Sequence, residues 1–380
     1  MKVKQSCILL LLVFVFLGCH GKEEEINHKE EINESKDILS LPPMKDQFAE
    51  YFLMGNIFNP GDASAEGIIN QRLTRHYNVL TAENNMKPGY LAPATKDGSY
   101  RFDTADTMVN AAIASGFKVV GHTLLWHSQN AGWMNTLSLS TALEDMKKYI
   151  TDVVTHFNGR IYSWDVLNEV FPDGVSASAN WKTSMRNENP WFKNIGSDFV
   201  YEGFKAARLA DSGAILYYND YNLNDAGKAT MVRNMVHDVN EEWKNDSNYD
   251  DRKLIEGIGM QSHHNTGITS ASVKASLELF KTLRVKISIT ELDVLAQSWG
   301  EYSGKSPVKK EGLEAQAKLY GEYMKLFLEY SDIIERVSFW GVTDDKSWRS
   351  GGLPLLFDPD GMSKPSYYAV IDALNEYEKK

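Results

Sequence analysis

The sequence is poor in cysteine: it has two, Cys7 and Cys19, both close to the N-terminus. A disulfide framework and a thiol nucleophile in the body of the chain are therefore excluded. Positive charge is scarce too, with 40 Lys and Arg against 51 Asp and Glu and a formal net charge of −11. A nucleic-acid partner, which selects a basic surface, has no support. No strand-like run leads into G-x-G-x-x-G or a P-loop, so a nucleotide site is not indicated. G-x-S-x-G, a common signature of serine hydrolases, is missing as well. There is no internal linker rich in Pro, Gly or Ser and no repeat with a period of about 20 to 50 residues. One large domain of 43% hydrophobic and 24% charged residues remains.

The one conspicuous apolar run, Ile8 to Leu17, follows Lys2 and Lys4 and precedes Gly18 and Cys19. It is too short to span a bilayer but has the length of the apolar part of an export signal. "FLGC" resembles a lipobox with Phe16 in place of the usual first residue. The expected organisation is a signal peptide over 1–18, a flexible acidic tether over 19–40 starting from a lipidated Cys19, and a catalytic barrel over 41–380. An exported lipoprotein is expected, with the lipid as its sole membrane contact. Acidic residues just after Cys19 suggest the outer cell surface, and a plain secretory signal is the other reading.

From Leu41 onward, short apolar runs alternate with longer segments of helical period. Strands are expected over Phe52–Phe58, Val79–Glu83, Lys118–Trp126, Ile161–Leu167, Ala214–Asn219, Leu254–Gln261, Lys286–Asp293 and Arg336–Val342. A helix over Glu311–Tyr330 carries Leu313, Ala317, Tyr320, Met324 and Phe327 on one stripe and charges on the other. Met231, Met235, Val239 and Trp243 mark a second. Eight such units predict the α/β class, a single (β/α)₈ TIM barrel with its active site at the C-terminal ends of the strands. A doubly wound open sheet is the competing architecture and does not explain eight regular units.

Those strand ends read "TAENNMK", "GHTLLWHSQ", "WDVLNEVF", "YNDYN", "GMQSHH", "TELDV" and "WGVTDDKSWR". Polar residues crowd there and are sparse at the strand beginnings, which a purely structural barrel does not require. In "SITELDV" strand alternation assigns Ile287, Ile289, Glu291 and Asp293 to one face. Glu169 after strand four and Glu291 on strand seven lie nearly across the mouth of an eight-membered ring. Two carboxyls flanking one bond suit glycoside hydrolysis. Asn168 adjoins Glu169 and is suited to a sugar 2-hydroxyl. His263 on the adjacent strand is expected to bridge Glu291 and Asp293, keeping Glu291 ionised as a nucleophile requires. Zinc is the alternative use of His122, His127, His263 and His264. It is disfavoured because no His-x-His follows strand one and His122 and His127 fall on opposite strand faces.

Taken in order, these seven motifs resemble the family 10 glycoside hydrolases, the endo-β-1,4-xylanases, from about Leu41 to Tyr377. The resemblance implies a retaining double displacement on xylan, without metal or cofactor, with Glu169 as acid/base and Glu291 as nucleophile. Retention calls for carboxyls about 5–5.5 Å apart, and for Glu169 to hold a proton when the leaving group departs. By the same resemblance Glu83, Asn84, Lys87, His122, Trp126, Gln129 and Gln261 contact the sugars nearest the cleavage point. Trp340 and Trp348, with Arg349 adjoining, form aromatic walls, and Tyr221 and Asn222 lie toward the leaving group. Pro88 stands where many relatives carry Trp, a departure from the family pattern at that local contact. The segments Phe171–Lys193 and Ser298–Glu311, rich in polar residues, Trp and Gly, are placed to reshape the cleft. Xylan or xylo-oligosaccharides are the expected partners of a monomer. A surface glycan binder that has lost turnover and a related β-glucanase are the alternatives.

Overall fold

The computed structural model describes residues 34–64 and 69–379. The expected signal peptide, Cys19 and most of the expected tether lie outside these residues.

Eight barrel strands run as β1 (Leu53–Phe58), β2 (Val79–Ala82), β3 (Lys118–Leu125), β4 (Ser163–Asn168), β5 (Ile215–Asp220), β6 (Gly257–Met260), β7 (Lys286–Leu295) and β8 (Ile334–Phe339). All pair in parallel with their sequence neighbours, and β1 pairs with β8 through Leu53↔Arg336 and Met54↔Val337 to close the ring. A short extra strand, His263–Asn265, pairs with the outer end of β7. The strands are followed in turn by α1 (Gln71–His76), α2 (Asp103–Ala114), α3 (Ala142–His156), α4 (Asp198–Ala210), α5 (Ala226–Trp243), α6 (Ser270–Lys281), α7 (Lys310–Glu329) and α8 (Pro365–Glu378). The expected (β/α)₈ barrel is the observed fold. Its strands are buried on both faces, which is why they read as near-continuous apolar runs. In α7 the stripe of Ala317, Tyr320, Met324 and Phe327 is buried as its spacing requires.

Three expectations need correction. The folded unit begins at Ser35 rather than Leu41. Ser35 Oγ donates to the Ser363 carbonyl at 2.9 Å, the Ile38 amide to the Gly361 carbonyl at 3.0 Å, and the Ile38 side chain is buried. An apolar residue after a capping Asp37 was enough to anchor this end of the expected tether. The sixth strand starts at Gly257 rather than Leu254, because Asn240 of α5 takes both backbone groups of Ile255. Its Oδ1 accepts from the amide at 2.8 Å, and its Nδ2 donates to the carbonyl at 3.0 Å.

The third correction concerns β7. Ser288 donates to the Tyr217 hydroxyl at 3.1 Å inside the barrel, where Arg336 stacks on the Tyr217 ring at 4.7 Å. Alternation then turns Ile287 and Ile289 outward into the apolar layer beneath the helices. The register against β8 shifts between Ile289 and Leu292. Consecutive residues Thr290 and Glu291 consequently both reach Asn219. Glu291 therefore does not share the face of the two isoleucines; the irregularity re-aims it to the mouth.

Candidate active site

Glu169 is the first residue beyond β4 and has φ of 56°, in the left-handed region that a β-carbon disfavours. Three bonds hold it there. Its amide donates to the Asn219 carbonyl at 2.9 Å, and its own carbonyl accepts from Arg186 Nε at 3.0 Å. The following amide, of Val170, donates to the Tyr218 hydroxyl at 3.1 Å. This turn takes the carboxyl out of strand alternation and into the mouth, where Trp126 Nε1 donates to Oε2 at 2.9 Å and Gln261 Nε2 to Oε1 at 3.0 Å. His127 lies 3.9 Å from Oε2; burial and then the charge of Arg186 lower its pKa, so it stands as a neutral ring.

Across the mouth, Glu291 accepts from Asn219 Nδ2 at 2.8 Å and meets His263 Nε2 at 3.1 Å. The other ring nitrogen, Nδ1, lies 2.9 Å from Asp293 Oδ2. Asp293 is fully buried and also accepts from Trp348 Nε1 at 3.0 Å and from the Arg349 guanidinium. Burial by itself raises the Glu291 pKa, but the His263 hydrogen bond, the neighbouring imidazoles and Asn219 outweigh it, and the carboxyl is held below its ordinary value. Burial likewise opposes charge on His263, yet Asp293 and Glu291 prevail and push its pKa up to about 9. Asp293 is lowered for the same reason, by His263 and Arg349 against its burial. The row is thus a carboxylate, an imidazolium and a second carboxylate, which is tolerable in a buried site only because every charge has a bonded partner.

A bridge of amides joins the two glutamates. Gln261 Nε2, bonded to Glu169, also reaches Asn168 Oδ1 at 3.1 Å, and Asn219 Nδ2, bonded to Glu291, reaches the same oxygen at 3.0 Å. With the Asn168 amide turned over, its oxygen instead accepts from Trp126 Nε1 and its nitrogen donates to the Asn219 carbonyl, both at 3.2 Å. Either way Asn168 ties β4 to β5 between the carboxyls. Glu169, Glu291, Asn168, Gln261 and His263 border one open cavity of about 880 Å³. Its floor is acidic, its walls are aromatic, and its size suits several sugar rings.

A model of the family described as Glycosyl hydrolase family 10 matches residues 43–373. The chain belongs to that family. It is 34% identical over 363 residues to an "Endo-1,4-beta-xylanase A" of Thermotoga neapolitana, covering 90% of this chain and 32% of that protein. The chain thus spans about a third of the length of that relative. An "Endo-1,4-beta-xylanase" of Geobacillus stearothermophilus is 33% identical over 348 residues, covering 88% of this chain and 99% of its own length. Among solved structures, a "Bacterial Ig-like Domain Containing GH10 Xylanase from Termite Gut" superposes with a TM-score of 0.86 at 51% identity. It covers 90% of this chain and 80% of that one.

In this family 10 chain every residue expected in the cleft lines the cavity except Asp293, which lies beneath it. Lys87 is buried, donates to Asn84 Oδ1 at 2.9 Å and sits 5.2 Å from the Trp126 ring centroid. Burial lowers its pKa while Glu291, Glu83 and Glu169 act in the opposite sense. Glu83 accepts from Asn59 at 2.6 Å, and Gln129, at φ 48°, leans on Asn84 at 3.5 Å. His122 is buried with its Nδ1 2.9 Å from Asp165. His264 bonds the Tyr323 hydroxyl at 2.7 Å and is kept neutral by burial. Among the described residues no three His, Cys, Asp or Glu side chains are arranged to hold a metal ion. Trp340 is largely buried, edge-on to His122 and His263, while Trp348 is exposed with its ring against His263. Arg349 is buried and committed to Asp293 and the His264 carbonyl. Pro88 opens the short helix Pro88–Leu91, a position where a missing N–H costs nothing.

The sequence reading missed Asn219, which holds Glu291, and Arg186, which holds the Glu169 backbone. It also missed Asp173, Asn224, Asn265 and Trp299 on the cavity wall. Asp173 binds Tyr221 at 3.2 Å and Asn222 at 3.3 Å, fixing both. Only Trp299 carried a signal of its own, as a large aromatic in an otherwise polar loop. Asn219 falls in the strand end "YNDYN", where nothing local says that its amide meets β7.

Proposed function

We propose that the protein is a retaining endo-1,4-β-xylanase. The observation that carries this is the pairing of Glu291, ionised by His263 and Asn219, with Glu169, joined to it through Asn168 and Gln261 in one open cleft. In the first step the Glu291 carboxylate attacks the anomeric carbon, the glycosidic C–O bond breaks, and Glu169 gives its proton to the departing oxygen. In the second, Glu169 takes a proton from water, whose oxygen displaces Glu291 from the same carbon. Two inversions restore the starting configuration. Trp126 and Gln261, both donors to Glu169, suit the carboxylate it becomes between the steps. Asn168 offers an amide to the sugar 2-hydroxyl, an interaction that strengthens in the transition state. Glu83, Asn84, Lys87, His122 and Gln129 supply polar contacts on one half of the cleft, with Trp340 and Trp348 as walls. Tyr221 and Asn222 supply them on the other half.

The test is reducing-sugar release from xylan and from cellulose, with the anomer of the first product read by NMR. Release from xylan with the β-anomer first supports the proposal. The α-anomer first contradicts retention, preferential release from cellulose favours the β-glucanase reading, and equal zero rates for wild type and Glu291→Ala favour a glycan binder. We further propose that the chain is an exported lipoprotein tethered through Cys19, supported by the Lys2–Cys19 pattern. Labelling with a radioactive fatty acid that is lost in Cys19→Ala is the expected result, and unchanged labelling contradicts it.

A further inference from the structure

We propose that Trp299 is a sugar-stacking platform that takes a pentose ring outside those held at the scissile bond; this rests on the xylanase reading above. Trp299 opens a short helix, Trp299–Ser303, inside the polar segment after β7. Ser298 caps that helix, and Glu301 bonds back to the Ser298 amide, so the turn is closed at its start. None of its residues is buried, and the indole is 57% exposed. A ring left in water at that extent contributes little to the core, and its face is open to a ligand.

The ring is nevertheless held in place. Tyr302 lies 5.7 Å away between centroids, and the buried Arg349 guanidinium stands 5.8 Å from each of these two rings. The same guanidinium is 5.6 Å from Trp348, which is 60% exposed. Arg349 is itself fixed by Asp293 and the His264 carbonyl, so both tryptophans flank a rigid charge. Tyr302 sits over Gly352, where an added β-carbon would lie 3.2 Å from Tyr302 Cδ2 and 2.3 Å from Leu295 Cδ2. Glycine at this point lets the helix dock closely on the loop after β8.

Trp299 borders the same cavity as Glu169 and Glu291. A rigid, exposed indole in a sugar-binding cleft offers an apolar face to the C–H face of a sugar ring, with no charge to satisfy. Two sources present such a ring: a further xylose of the main chain, or an arabinose borne on it.

The test compares wild type, Trp299→Ala and Trp299→Phe on xylohexaose, on an arabinose-substituted xylo-oligosaccharide and on an aryl xylobioside. The expected result for Trp299→Ala is a drop of about tenfold in kcat/KM relative to the aryl xylobioside, carried by KM and largely restored in Trp299→Phe. A drop on both oligosaccharides assigns the platform to the main chain, and a drop on the substituted one alone assigns it to the pendant sugar. Unchanged ratios on both overturn the inference. If the wild type releases no sugar, the activity reading fails; calorimetric affinities for the same oligosaccharides then replace KM, with the same tenfold criterion deciding this inference separately.

Discussion

Arg186 donates from Nε to the backbone carbonyl of Glu169 at 3.0 Å, while its own amide donates to the Val170 carbonyl at 2.9 Å. A residue from the long segment after β4 thereby grips the peptide that carries the acid/base in its left-handed turn. The turn costs roughly 1–3 kcal/mol and persists only where its surroundings enforce it. Tyr218, whose hydroxyl takes the Val170 amide and donates to the buried Asp220, is the second grip. Loosening either is expected to displace the Glu169 carboxyl without touching Glu291. Arg186→Ala and Tyr218→Phe should each lower kcat/KM on xylan about tenfold, a change of about 1.4 kcal/mol. The loss should be smaller on an aryl xylobioside whose leaving group needs no proton. Equal losses on both substrates would mean a general structural role.

The two glutamates are expected to differ in the character of their loss. Glu291→Ala should reduce xylan hydrolysis by about 10⁴-fold or more, since no covalent intermediate then forms. Glu169→Ala should cost about 10²–10⁴-fold, the usual range for proton transfer. Added azide should accelerate turnover of an activated aryl xylobioside by Glu169→Ala, because a small anion needs no base. Product analysis for a β-xylobiosyl azide checks it.

The pH dependence follows from the charged row. His263, pushed up to about 9, gains its pairing energy in full below the ordinary histidine value near 6.5. That contribution is lost as pH rises through about 9, when one ring nitrogen presents a lone pair to a carboxylate. Glu291 and Asp293 are held low, so their contributions are present above ordinary carboxylate values and lost as pH falls through the lowered ones. Activity and Tm should both decline above about pH 9. His263→Gln should destabilise by about 3 kcal/mol near neutrality, by stranding two carboxylates, and should flatten the alkaline fall in Tm. Thermal denaturation as a function of pH measures both.

Gly259 on β6 stands where an added β-carbon would lie 2.3 Å from Asn219 Oδ1. Gly259→Ala is expected to push Asn219 off Glu291 and Thr290 at a stability cost of about 1–3 kcal/mol. Catalysis should suffer more than binding, with kcat falling and KM for xylohexaose little changed. Michaelis–Menten kinetics beside a denaturation curve will separate the two effects, and a fall confined to Tm would count against a role for Asn219.

Much of the architecture was legible because it depends on local pattern. Short runs buried on both faces, such as Val79–Ala82, alternate with the 3.6-residue stripe of α7, and those periods hold whatever the partners are. The crowding of amides, carboxylates and imidazoles at strand ends was readable for the same reason. The face of Glu291 was not, because the register shift between Ile289 and Leu292 arises in the pairing of β7 with β8. The start of the folded unit was misjudged because a single buried side chain, Ile38, outweighs the polar residues around it.

The sequence by itself determined the eight β/α units, the rim on which polar side chains gather and the presence of one glutamate on each side of it. These are consequences of spacing along the chain. Tertiary structure alone decided that Asn219 bridges to β7, that Arg186 grips the Glu169 peptide and that Trp299 stands exposed beside Arg349. Each of those depends on distances between residues far apart in the chain, set by closure of the ring and by local irregularities in its strands. Hydrogen bonds demand close, directed approach and ion pairs strengthen with proximity, so they select among neighbours that only the closed barrel creates.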